Sequence, residues 1–223
     1  MYYLFVSYGS LNSDYNIRVG RSLSVTGPYL DHNGRDMTDL EDYDNTLGYM
    51  LACGYSFHEG TGYMAPGHNS VLRDFDGEWY LVHHIREKNF KSLDISTMHV
   101  RKLLWSDDGW PLASPEIYSG EKLQPLMPEN IVGKYERIRL TPAVPQGMQT
   151  STTMELRSDG TVSLGISIKA HWEMIDEYTI TISYAKTVET YKVIAAWDYQ
   201  LWKPTLAITG KDNTGICLWG KKY

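Results

Sequence analysis

Short runs of alternating apolar and polar residues dominate the first part of the chain. Tyr2–Tyr8 and Asn16–Ser22 are rich in residues that favour strands, and 9–14 between them has the composition of a hairpin loop. A short edge strand is predicted at Tyr29–Asp31. Residues 32–62 are polar, acidic and contain glycine, and their periodicity is weak, which predicts a long irregular connection.

Tight Asp-Gly turns mark a second group of strands. The pattern predicts strands at 69–73, 78–85 and 96–105, with turns at Asp76-Gly77 and Asp108-Gly109. Strands of this length, joined by such turns, build antiparallel meanders.

The composition changes at 124–128, where two prolines frame a linker. Beyond it, strands spaced by about 8–12 residues are typical of a small sandwich or barrel. No helix of normal length is predicted. The sequence therefore predicts an all-β protein in two parts, 1–124 and 125–223. The strands predicted in the second part are 133–138, 153–157, 161–168, 178–184, 191–197, 205–209 and 215–220.

Composition excludes several classes of function. The chain has 223 residues and a formal net charge of −6, which argues against a general nucleic-acid binder. No apolar run approaches the roughly 18 residues of a membrane span. Cys53 and Cys217 are too few for a disulfide framework or a zinc site. Aromatic residues make up 13%, with 17 Tyr and 7 Trp against 4 Phe, and such amphipathic rings suit sugar-binding platforms as well as sheets.

Carboxylates are the first candidates for chemistry, because glycoside hydrolysis uses two of them. No predicted strand flanks the densest acidic cluster to fix its geometry, so it is interpreted as a solvated loop face. The run Asp74–Gly77 lacks the later Glu of a calcium loop and predicts a hairpin turn. The acidic cluster consists of Asp36, Asp39, Glu41, Asp42 and Asp44.

Histidines and tryptophans leave alternatives open. His83 and His84 are consecutive in a predicted strand and point to opposite faces, which disfavours a shared metal site. His68 follows Pro66-Gly67 at the predicted entrance to a strand, where it is either an ordinary loop histidine or a ring that faces a cleft. The tryptophans of the second part form either a sugar-stacking platform or ordinary packing; they are Trp172, Trp197, Trp202 and Trp219.

Six stretches of the first part point to one family by their order and approximate spacing. They are Tyr2–Ser10, Tyr15–Ser22, Thr26–Tyr29, Pro66–Val71, Trp79–His84 and Met98–Trp105. Together they resemble glycoside hydrolase family 43, in particular its endo-1,5-α-arabinanases. The matches extend from residue 2 to about 121, and the tail resembles the extra β-domain that some of these enzymes carry.

The resemblance implies a five-bladed β-propeller that hydrolyses L-arabinan by inversion with two Asp and one Glu. None of these three carboxylates maps onto this chain, and the family Glu precedes the segment that Tyr2–Phe5 matches. A blade takes about 40–45 residues, so 1–124 amounts to about one and three-quarter blades. We therefore expect the C-terminal portion of such an enzyme, inactive alone and completed by an upstream propeller fragment or a longer gene product.

The resemblance also implies roles for three residues. His68 matches a family histidine that ligates a metal, usually calcium, with water, although calcium normally prefers oxygen ligands. Ser7 and Tyr8 are expected to bind substrate at the cleft edge. The implied substrate is arabinan or an arabino-oligosaccharide. The resemblance also implies that the full-length relatives are extracellular, although the sequence begins at Met1 directly with a predicted strand and shows no signal peptide. The alternatives are a non-catalytic arabinan- or pectin-binding module and an inactive truncated remnant.

Overall fold

Strands make up nearly all the regular structure of the chain. The computed structural model describes residues 1–42, 44–57, 60–89, 95–143 and 148–223. Besides one short helix, α1 (Pro128–Ile131), it contains seventeen strands, which confirms the predicted all-β class. They are β1 (Tyr2–Tyr8), β2 (Asn16–Ser22), β3 (Tyr49–Ala52), β4 (Tyr55–Ser56), β5 (Tyr63–Arg73), β6 (Trp79–Glu87), β7 (Thr97–Trp105), β8 (Pro111–Ala113), β9 (Gly133–Leu140), β10 (Gln149–Thr150), β11 (Thr152–Leu156), β12 (Thr161–Ser163), β13 (Ala170–Asp176), β14 (Thr179–Tyr184), β15 (Thr187–Asp198), β16 (Lys203–Asp212) and β17 (Cys217–Lys222).

The first sheet is antiparallel and has the order β1-β2-β3. Both β1 and β2 have the predicted bounds. The prediction of an edge strand at Tyr29–Asp31 is wrong, because Leu30 forms only isolated bridges, with Arg21 and Asp36. The segment 32–62, which was expected to be irregular, also contains β3 and β4. All four residues of β3 are buried, and a continuously buried strand has no alternation that could reveal it.

The second sheet has the order β10-β4-β5-β6-β7-β8 and contains the predicted second meander. The turn glycines Gly77 and Gly109 have φ values of +89° and +80°, so these turns require residues that tolerate left-handed backbone. β5 begins at Tyr63, six residues before the predicted start, because an irregular stretch of it resembles a loop in sequence.

Eight strands of the second part close into a barrel in the order β11-β12-β13-β14-β15-β16-β17-β9. Of the two predicted architectures, the structure is therefore the barrel. The predicted strand 161–168 ends at Ser163, and Gly165 follows in the left-handed region with φ +73°. β13 was not predicted, although apolar Ala170, Trp172 and Met174 alternate there with exposed His171 and Glu173.

The barrel packs directly against the two sheets. One hydrophobic cluster joins Tyr49 and Trp110 of the first part with Ile138 and Trp219 of the barrel. In addition, β10 runs parallel to β4 and pairs with it, so a strand of the second part extends a sheet of the first. The domain boundary between 124 and 125 stays a prediction.

Polar side chains are also buried in the barrel. Glu189 is fully buried, pairs with Arg137, and accepts hydrogen bonds of 2.7 Å from the hydroxyls of Tyr184 and Tyr191. A buried ion pair of this kind is tolerated only because further hydrogen bonds satisfy its oxygens.

Both cysteines are buried and free, and burial raises the pKa of the Cys53 and Cys217 thiols to about 12. Neither therefore acts as a thiolate near neutral pH.

Across the described residues, no helix has the length and apolar character needed to cross a membrane.

Candidate cleft edge around His68

His68 lies inside β5, in an irregular stretch of the strand. The pairing of β5 with β6 shifts register twice between residues 64 and 70. Ala65 and His68 both have left-handed backbone, with φ values of +54° and +50°. The expectation that a loop delivers His68 into a strand is therefore corrected, because the strand continues through it as a bulge. Backbone strain of this kind in non-glycine residues is concentrated at functional sites.

The hydroxyl of Ser7 holds this bulge in place. Ser7 Oγ accepts a hydrogen bond of 2.9 Å from the backbone N–H of His68 and donates one of 3.1 Å to Asn69 Oδ1. Ser7 belongs to β1, so these bonds connect the first sheet to the second. The structure thus brings together two of the three site residues that the resemblance implied.

Gly67 allows the bulge to approach Tyr15. A Cβ atom at Gly67 would lie 2.2 Å from Cδ1 and Cε1 of the Tyr15 ring, which is far inside van der Waals contact. The ring of Tyr15 also lies 5.6 Å from the ring of His84. The bulge is therefore packed tightly on the side of Gly67, whereas the His68 side chain is exposed.

His84 is a second imidazole at this site. Its ring centroid lies 6.3 Å from that of His68, at an interplanar angle of 26°. Burial, followed by the neighbouring His68 and Arg86, lowers the pKa of His84. Its Nε2 atom is buried and has no hydrogen-bond partner among the described residues. The neutral ring therefore offers a nitrogen to a metal ion or to a hydrogen-bond donor.

Adjacent His83 points to the other face of the strand, as alternation predicted. Its Nε2 accepts a 3.0 Å hydrogen bond from Arg101 Nε, so its Nδ1 donates to the His84 carbonyl at 2.8 Å. Sequence reasoning missed the closeness of His68 and His84, because these residues are sixteen positions apart in sequence. Only the strand register, which pairs Gly67 with His84, brings them together.

Calcium is a poor match to the groups identified around His68. No three His, Cys, Asp or Glu side chains in the described segments are grouped closely enough to hold a metal ion. His68 and His84 offer imidazole nitrogens, whereas calcium takes about six to eight oxygen ligands. These residues do not make a calcium site by themselves. Calcium bound through His68 and water stays a prediction.

Tyr8 does not follow Ser7 to this site. Because side chains alternate along β1, Tyr8 faces the opposite side, where the Arg18 guanidinium lies 5.1 Å from its ring centroid. There it lines a small cavity of about 150 Å³ with Asp14 and Asp44. The substrate-binding roles of Ser7 and Tyr8 stay predictions.

The acidic cluster forms the turns of its own loop. Arg35 donates hydrogen bonds of 3.1 Å to Asp39 and 3.2 Å to Asp42. Asp42 also accepts hydrogen bonds from the backbone N–H groups of Thr46 and Leu47. These carboxylates thus have structural partners within the loop.

Comparison with known proteins accounts for both parts of the chain. The family model described as glycosyl hydrolases family 43 matches residues 1–111, and that of a C-terminal lipocalin-like domain of the same family matches residues 115–220. The chain belongs to glycoside hydrolase family 43. This confirms the resemblance that the six motifs indicated.

Similar relatives in this family carry arabinanase names. The extracellular endo-α-(1→5)-L-arabinanase 2 of Bacillus subtilis strain 168 is 30% identical over 99% of this chain and 50% of its own length. An extracellular endo-α-(1→5)-L-arabinanase of Thermotoga petrophila is also 30% identical, over 98% of this chain and 49% of its own length. The chain spans about half the length of these relatives.

Solved structures give the same picture. The endo-1,5-α-L-arabinanase of Thermotoga petrophila, in complex with TRIS, superposes with a TM-score of 0.89 and 29% identity. The match covers 100% of this chain and 52% of that enzyme. A family 43 glycoside hydrolase of Bacillus licheniformis superposes with a TM-score of 0.88 and 29% identity, over 99% of this chain and 52% of its own. The two sheets and the barrel of this chain therefore correspond to part of a family 43 propeller and to the β-domain that follows it.

Proposed function

We propose that this chain forms the C-terminal part of an extracellular enzyme that hydrolyses α-1,5-linked L-arabinan by inversion. The observation that carries the proposal is the superposition of the entire chain on an endo-1,5-α-L-arabinanase, with a TM-score of 0.89 at 29% identity. The two relatives that match nearly all of the chain are both named as extracellular enzymes of this activity, which favours the same substrate and location.

The catalytic carboxylates are assigned to another part of the protein. Inversion needs a general acid and a general base on opposite sides of the sugar, with carboxyl groups about 6.5–9.5 Å apart. The three family carboxylates match no residue of this chain. The relatives are about twice as long as the chain, which leaves room for them in a further propeller segment.

Within this arrangement, the bulge of β5 forms part of the cleft wall. Ser7 fixes the His68 backbone at 2.9 Å, and the exposed His68 side chain faces the substrate space. Nε2 of His84, for which the described residues supply no partner, accepts a hydrogen bond from ordered water held between the two imidazoles. This pair then positions water beside the general acid and performs no covalent step.

Activity of a completed enzyme tests the proposal. The segment of the Thermotoga petrophila arabinanase that this chain does not match is joined ahead of Met1, and release of reducing sugar is measured on linear arabinan, galactan and xylan. We expect no turnover by the 223-residue chain alone and turnover of arabinan only by the chimera. Turnover by the chain alone would contradict the assignment of the carboxylates. A folded chimera that cleaves xylan or galactan but not arabinan would contradict the substrate.

A further inference from the structure

A groove separate from the Ser7–His68 site lies where the chain passes from the sheets into the barrel. Its volume is about 770 Å³. One wall consists of the end of β15 and the turn that follows it, and the other consists of residues 119–122 and Gln124. This volume falls in the range of about 300–1,000 Å³ that is typical of small-molecule sites.

Three polar-tipped aromatic rings line the barrel side of the groove. Trp202 is 70% exposed, which is unusual for so large a side chain. Its ring centroid lies 6.2 Å from that of Trp197 and 5.7 Å from that of Tyr199, at interplanar angles of 80° and 73°. The rings therefore form a corner with accessible faces, and of the four tryptophans considered in the second part, Trp197 and Trp202 contribute to it.

The turn that carries these rings is fixed from below. Fully buried Asp198 accepts hydrogen bonds at Oδ1 from the backbone N–H groups of Gln200 (2.8 Å) and Leu201 (2.9 Å). Lys221 Nζ donates a 2.8 Å hydrogen bond to Gln200 Oε1. A platform held in this way loses little conformational entropy when a ligand binds.

Glu121 supplies an unsatisfied acceptor on the facing wall. It is only 6% exposed, and its Oε2 accepts hydrogen bonds from the backbone N–H (2.6 Å) and hydroxyl (3.2 Å) of Ser119. Its Oε1 is buried and has no partner within the described parts of the chain. Because a buried acceptor without a donor costs stability, this oxygen is suited to a hydroxyl donated by a ligand.

We propose that this groove is a second carbohydrate-binding site, which holds a neutral arabinan chain away from the catalytic cleft. Rotation of the Glu121 carboxyl group toward the groove exposes Oε1 to a sugar hydroxyl, which donates a hydrogen bond to it. The C–H faces of the sugar rings stack on Trp197 and Trp202. Glu121 and Lys122 both line the groove, so its opposite charges balance and it suits a neutral chain better than an anionic one such as polygalacturonate. The choice of arabinan rests on the proposed function.

Affinity electrophoresis of the 223-residue chain in gels that contain linear arabinan tests this site. The native chain is expected to be retarded, with Trp202→Ala weakening binding by about tenfold or more and Glu121→Gln weakening it less. Phe75→Ala is the matched control and should leave mobility unchanged, because Phe75 is fully exposed on a hairpin far along the chain from the groove. Melting temperatures verify that each variant folds. Trp202→Asn replaces the alanine variant if that one does not fold, because Asn tolerates the φ of +56°.

The outcomes separate this site from the proposed function. An unretarded native chain, or retardation that survives both groove substitutions, overturns the second site. The second site is also overturned if His68→Ala abolishes the retardation while Trp202→Ala leaves it unchanged. That result assigns binding to the cleft edge. Retardation by polygalacturonate stronger than by arabinan overturns the neutral ligand. A groove-dependent retardation, together with a chimera that does not cleave arabinan, supports the second site and counts against the proposed function alone.

Discussion

The backbone N–H of His68 donates a 2.9 Å hydrogen bond to the hydroxyl of Ser7, which lies 61 residues earlier in the chain. This bond joins the first sheet to the bulge of the second, at a residue whose φ is +50°. The exposed imidazole of His68 therefore has a fixed backbone, and a fixed backbone is what a cleft wall requires.

Ser7→Ala should loosen this connection. It removes the acceptor of the His68 N–H and the donor to Asn69, so the free energy of unfolding should fall by about 1 kcal/mol. Urea denaturation measures the change. Ser13→Ala is the control, since the Ser13 hydroxyl is exposed and donates to Asp14 within its own loop. Equal stability of the two variants would contradict the structural role of Ser7.

The strain at His68 should reverse the usual order of alanine and glycine. Left-handed backbone costs an L-residue about 1–2 kcal/mol, so His68→Gly should be more stable to urea than His68→Ala by about 1 kcal/mol. At exposed Ser70, two positions along the same strand, the glycine variant should be the less stable of the pair. The same order at both positions would argue against a strained bulge.

Gly67→Ala should be destabilising because of Tyr15. The added methyl would lie 2.2 Å from the Tyr15 ring, and overpacking of this kind costs about 1–3 kcal/mol. A double-mutant cycle with Tyr15→Ala isolates the contact by urea denaturation. The double variant should lose less stability than the sum of the two single variants, and strict additivity would contradict the close packing.

Stability should fall on acidification because of buried histidines. Burial and then Arg101 lower the pKa of His99 to about 3, and burial and Arg101 also lower the pKa of His83. The unfolded chain therefore binds protons at a higher pH than the folded one. For His99, the contribution to stability is complete above about pH 6.5 and decreases as the pH falls toward 3, by up to about 1.4 kcal/mol per pH unit. The lowered pKa of His83 adds a loss in the same direction.

Denaturation at a series of pH values, with His99→Phe as the matched variant, measures this dependence. The phenylalanine ring preserves the packing against Tyr63 and His83 and cannot titrate. The variant should show a shallower loss of stability between pH 6 and pH 4. An unchanged slope would show that His99 does not contribute.

The strands that can be predicted from the sequence are those whose apolar and polar residues form a recognisable pattern. Alternation located β1 and β2 because each has a patterned run between clear turns. It missed β3, which is buried on both faces, and β13, in which Ala170, Trp172 and Met174 alternate with exposed His171 and Glu173. β3 therefore has no periodic signal on which the prediction depends, whereas the alternation of β13 is present in the sequence.

The candidate sites follow the same division. The motif around His68 is contiguous in sequence and could be recognised, whereas its neighbour His84 arrives only through strand register. Glu121 lies just before a proline-framed linker, and no local pattern indicates that it lines a groove together with Trp202. Nor does any local pattern indicate that one of its oxygens is buried with no partner among the described residues. A site that is assembled from segments distant in sequence can therefore be identified only from the tertiary structure.

The most direct test of the account is the value of kcat/KM for arabinohexaose in the completed chimera, compared between the native sequence and His68→Ala. Because His68 is exposed, the substitution should leave the fold intact, as a melting temperature verifies. If the Ser7–His68 bulge is a wall of the catalytic cleft, kcat/KM should fall by about 100-fold, and the Phe75→Ala control should keep the native value. A His68→Ala chimera with kcat/KM equal to the native value would contradict the account.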